Sequence, residues 1–130
     1  MSDKADYWLG ICEDDVITAK VLLEKGRFLH MGYFCHLVAE KALKAVIAEK
    51  TNETPPKIHN LTRLAAIAII FDELSEVQID LLKRLTPLQI EARYPENKEK
   101  ISATLIKGYC ETLLQETEEF LCWIKTKLGK

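Results

Sequence analysis

Residues 29–50 read LHMGYFCHLVAEKALKAVIAEK, and this stretch decides the fold. Met31, Phe34, Cys35, Leu37, Val38, Ala39, Ala42, Leu43, Ala45, Val46 and Ile47 put apolar side chains on most sides of a helix. A helix that is apolar nearly all round lies inside a bundle, so other helices must surround it. The flanking sequence supplies them. Trp8, Ile11, Cys12, Asp15, Ala19, Leu22 and Leu23 recur at three- and four-residue steps, which predicts a helix over 4–25, with Gly26 as its stop. Residues 51–57, with Pro55-Pro56, read as a loop. A shorter helix is predicted over 60–71, with Leu61, Leu64, Ala65, Ala68 and Phe71 inward. Ser75 and Gln78 form a capping-box pattern that opens a fourth helix, with Val77, Leu81, Leu82 and Leu85 inward. Pro87 is expected to end or kink it. Residues 90–100 are polar and read as an ordered connection through Tyr94-Pro95. A last helix is predicted over 102–128, buried along Ile106, Tyr109, Leu113, Phe120, Ile124 and Leu128. Apolar residues alternate nowhere as a strand requires. The expected fold is all-α: an antiparallel four-helix bundle with one additional short helix, as one domain over 1–130.

Composition agrees with that class. The 130 residues are 48% apolar and 29% charged, with a formal net charge of −2, which excludes a wholly disordered chain. There is no basic surplus to drive nonspecific binding to nucleic acid. Cys12, Cys35, Cys110 and Cys122 form no C-x-x-C pair, so they read as small buried hydrophobes in a reducing compartment. The charged start of the chain has no apolar run after it, and the longest such run, 65–71, is too short to span a bilayer. A cytoplasmic protein without membrane contact is expected. No metal-ligand spacing, phosphate-cradling glycine loop or nucleophile elbow occurs, so no cofactor or metal is assigned and no residue is named as catalytic.

Three features depart from a plain bundle. Asp15 falls on the apolar face of the first helix. A buried carboxylate needs a partner, so it serves either a register-fixing pair or a site. His36, Glu40 and Lys44 stand four residues apart on the most apolar helix and share one stripe. That stripe is either a partly solvated edge with an ordinary Glu–Lys pair or a polar seam facing a cleft or a partner. Arg93 and Tyr94 precede Pro95 in a turn between helices. Arg93 either offers its planar fork to phosphate or neutralises Asp15 or Glu40, and Tyr94 can stack on a base. His59 stands just before a predicted helix start, as a cap or as a side chain aimed at a ligand.

Four stretches resemble the HEPN domain family. They are Trp8 to Leu23, Cys35-His-Leu-Val-Ala-Glu-Lys-Ala-Leu-Lys-Ala45, Ile58-His-Asn-Leu61 and Ile90-Glu-Ala-Arg-Tyr-Pro95. They cover nearly the whole chain in the family's order. The resemblance implies a four-helix bundle with a short extra helix, and a nucleotide- or RNA-associated protein. It further implies a small nucleotidyltransferase as partner in a toxin–antitoxin-like pair. On that reading Arg93 holds phosphate, Tyr94 or His59 contacts base or ribose, and Asp15 or Glu40 orients the basic groups beside His36 and Lys44. A symmetric homodimer through the second, fourth or fifth helices is expected because the second helix is apolar on more sides than one core needs and the last helix is long. Ribonuclease members carry Arg, four to six residues, then His; here no histidine follows Arg93. The alternatives are a non-catalytic helical interaction module, and a divergent ribonuclease using His59 or His36 for the missing histidine.

Overall fold

A computed structural model of the protein describes residues 3–91, 103 and 105–130. The elements are α1 (Asp3–Glu24), α2 (Phe28–Thr51), α3 (Leu61–Ile67), a single 3-10 turn (Phe71–Glu73), α4 (Glu76–Glu91) and α5 (Lys107–Lys127). No strand occurs among the described residues. The architecture is an all-α bundle in which α2 touches α1, α3, α4 and α5.

Local chemistry explains most of the boundaries. α1 ends in a Schellman arrangement, with Arg27 N–H on Leu22 O at 2.8 Å and Gly26 at φ +71°. α1 and α2 then form a hairpin, closed at its far end by Lys4 Nζ on Asn52 O at 2.8 Å. Asn52, which ends α2, takes the left-handed conformation that asparagine tolerates. The capping box forms in full: Ser75 N–H donates to Gln78 Oε1 (2.9 Å) and Gln78 N–H to Ser75 Oγ (3.1 Å). α5 returns antiparallel to α1, joined by Lys125–Glu13 (2.7 Å) and Lys20–Glu118 (3.4 Å). Arg84 ties α4 to α5 through Glu116 at 2.5 Å.

Several expectations need correction. Pro87 does not end α4, which runs on to Glu91. The missing donor faces the carbonyl of Lys83, an exposed residue where water can serve instead. Beyond it Leu88 is 4% exposed and packs over Gly32, where an added Cβ would come within 3.0 Å of it. Burying such a side chain contributes about 1.5–3 kcal/mol, comparable with what proline costs. The third helix stops at Ile67 rather than at residue 71, because Ile69 turns the chain at φ +60°. Phe71, Val77 and Ile106, expected inward, are exposed. The last helix begins at Lys107 within the described residues, and Ile106 is its N-cap.

The core draws on every helix, with Leu43, Leu61, Leu82, Leu113, Phe120 and Ile124 among the fully buried side chains. Cys12, Cys35 and Cys110 are buried in it and Cys122 is exposed, which corrects the expectation that all four are buried. Burial, together with the nearby Asp15 charge, pushes the Cys12 thiol up to about 12. Burial likewise raises Cys35 to about 12 and Cys110 to about 11. No helix among the described residues is long and apolar enough to cross a membrane.

Candidate functional site

The polar stripe on α2 is buried: His36 is 0%, Glu40 3% and Lys44 6% exposed, so it is not a partly solvated edge. Neighbouring elements close over it. α4 offers the Leu85 carbonyl, which accepts from His36 Nδ1 at 3.0 Å. His36 Nε2 meets Glu40 Oε1 at 3.2 Å. Both of these partners are acceptors, so the arrangement is satisfied only when both ring nitrogens carry hydrogen. Lys44 Nζ donates to Glu40 Oε2 at 3.1 Å and lies 5.7 Å from the centre of the Trp8 ring on α1.

His59 completes the cluster from the loop before α3. Its Nδ1 donates to Glu40 Oε1 at 2.9 Å. The next residue, Asn60, caps α3 by accepting from Arg63 N–H at 3.0 Å, so His59 stands one residue outside the helix with its backbone held. Because Nδ1 is committed to the carboxylate, Nε2 is the ring nitrogen left for another partner, and the side chain is 56% exposed. Burial pushes the Glu40 carboxyl up. Hydrogen bonds from His36 and His59 and the Lys44 charge more than reverse this and hold it at about 2. Glu40 is therefore a fixed anion that orients an exposed imidazole, the relation by which buried carboxylates set a histidine's tautomer and aim.

Of the residues expected at the site, His36, Glu40, Lys44 and His59 come together. Asp15 does not join them. It is buried between α1 and α2, with Lys41 Nζ 3.5 Å from Oδ2, an oxygen without a hydrogen bond. Burial raises its pKa and Lys41 only partly offsets this. Arg93 and Tyr94 lie outside the described residues, as does the rest of the predicted connection from residue 92 to 100. Sequence reasoning missed Trp8 as a neighbour of the cluster, having taken it only as part of a helix face. The one available signal was the adjacent aromatic pair Tyr7-Trp8 near the start of α1. Among the described residues no group of three His, Cys, Asp or Glu side chains is placed to hold a metal ion.

The HEPN domain model matches residues 5–127. The chain belongs to the HEPN domain family. The crystal structure of TT1696 from Thermus thermophilus superposes with a TM-score of 0.83 at 19% identity, covering 97% of this chain and 99% of that one. At that identity the likeness speaks for the fold alone. A comparison with curated proteins finds no match. Two of the HEPN-like stretches have clear structural counterparts: the Ala39-Glu-Lys-Ala-Leu-Lys44 segment supplies Glu40 and Lys44, and Ile58-His-Asn-Leu61 supplies His59 and the cap of α3.

Proposed function

We propose that this HEPN protein binds a nucleotide or RNA at the edge where His59 emerges from the Glu40 network. Association with nucleotides or RNA is the general property of the family. The observation that carries the reading is the Glu40–His59 bond, a buried carboxylate holding an exposed imidazole through Nδ1 and leaving Nε2 for another partner. Such a ring contacts phosphate, ribose or base without first having to be ordered, which lowers the cost of binding. Lys44 stands beside the Glu40 carboxylate as the neighbouring cation of this network.

The protein acts in this reading as one domain over 1–130, in the cytoplasm, as a homodimer paired with a small nucleotidyltransferase. The incomplete arginine–histidine motif favours binding over cleavage. Of the elements expected at the dimer face α2 is enclosed by its own chain, while Val77 on α4, and Ile17 and Val21 on α1, offer exposed apolar side chains to a second copy. Those side chains also support the second reading, a helical interaction module. Titration calorimetry with AMP, CMP, GMP, UMP, dinucleotides and a short RNA tests the ligand. Binding by the wild type and a loss of about tenfold or more in His59→Ala is expected. Absence of binding to all of them would leave only the interaction module.

A further inference from the structure

Of the cavities among the described residues, the one between α1 and α5 and the one beside Tyr7 and Trp8 could take the ligand's base, and their linings decide between them. The larger, about 650 Å³ between α1 and α5, is lined by Glu111, Glu118 and Glu119, three carboxylates that repel a polyanion. The smaller, about 260 Å³, is lined by Asp3, Lys4, Tyr7, Trp8 and Thr54. It is below the roughly 300–1,000 Å³ of sites that enclose a whole drug-sized ligand, so it suits one ring system. Tyr7 and Trp8 meet edge to face, with centroids 5.6 Å apart and planes at 81°. A planar group stacked on one ring therefore lies edge-on to the other, and both contacts are favourable.

We propose that this Tyr7–Trp8 corner is the base-stacking subsite of the nucleotide or RNA ligand, an assignment that rests on the function proposed above. The corner and His59 flank the same lysine. Lys44 lies 5.7 Å from the Trp8 ring centre and 3.1 Å from Glu40, whose other oxygen accepts from His59 at 2.9 Å. A ligand that reaches both places its base on the rings and its backbone at the imidazole. Lys4 gives one hydrogen to Asn52 O, which leaves two for a base carbonyl. Asp3 also lines the cavity, and its carboxylate repels phosphate from the rings. Stacking is tolerant of sequence because every base has a π face, so the subsite selects for a base without selecting which one.

The chain has two tryptophans, so the test uses the full chain in a Trp123→Phe background, where the emission comes from Trp8. The probes are the four mononucleotides and a hexanucleotide RNA, with ribose 5-phosphate as the control without a base. Saturable quenching by the nucleotides and none by ribose 5-phosphate is expected. Tyr7→Ala should weaken binding about tenfold or more, with Tyr7→Phe retaining it. Tyr7 is 63% exposed, so its removal should leave the melting temperature unchanged. Calorimetric binding that persists in Tyr7→Ala without quenching of Trp8 would place the base elsewhere, overturning this subsite while the proposed function stands. No heat and no quenching with any probe would overturn both.

Discussion

Burial pushes the carboxyls of Glu40 and Asp15 up alike, and the partners each one meets send the two in opposite directions. Glu40 collects three donors and its carboxyl is held at about 2 against an ordinary 4.5. A depressed carboxyl stabilises the fold above its unfolded pKa, so this contribution is complete above about 4.5 and is lost as pH falls through about 2. Glu40→Ala leaves the buried Lys44 ammonium uncompensated and should cost about 3–5 kcal/mol at neutral pH. Asp15 has one cation at 3.5 Å and a raised pKa. Its contribution has the reverse sign, complete below about 3.8 and lost as pH rises through the raised value. Asp15→Asn should therefore stabilise at pH 7, with the gain vanishing near pH 3. Urea melts of both variants at the two pH values check the pair, and an Asp15→Asn protein less stable at pH 7 would show that Lys41 satisfies the carboxylate. Helical spacing showed that both acids face inward. It did not show which one finds donors, because His59 reaches Glu40 from 19 residues away and Leu85 reaches His36 from 49.

Among the elements, α3 carries a local conflict. Ile70 N–H closes on Ala65 O at 3.1 Å, a Schellman ending, and the residue in the left-handed position is Ile69 at φ +60°. Glycine usually stands there, and a β-branched residue is strained by roughly 1–2 kcal/mol. Ile69 is also 76% exposed, so its side chain contributes little packing in return. Ile69→Gly should raise stability by about 1 kcal/mol, seen as a higher denaturant midpoint at an unchanged slope. A lower midpoint would mean that the isoleucine makes a contact worth more than the strain. This conflict is also why the end of α3 was illegible. The apolar run 65–71 keeps helical spacing through the turn and has no glycine to mark it. The ends carrying Gly26 and the Ser75–Gln78 box, where the stop and start chemistry is local, were readable.

Across the whole molecule, the bundle was legible because one helix is apolar on nearly every side and so requires neighbours. The site was half legible. Its polar stripe lies within α2, but its other contributors, Trp8, His59 and the Leu85 carbonyl, come from three other segments that only the fold assembles. The arrangement of the cysteines has a further consequence: the chain carries its own opening clock. Cys122 is exposed on the outside of α5, while Cys12, Cys35 and Cys110 are enclosed with thiols lifted to between about 11 and 12. A thiol reacts as thiolate, so an alkylating reagent near neutral pH meets one reactive sulfur per folded chain. The other three become available only when helices part, and their modification then reports the population of open forms. Intact-mass spectra over time should show one rapid addition followed by a slow approach to four. A second rapid addition would mean that one of the three enclosed thiols is reached without parting the helices.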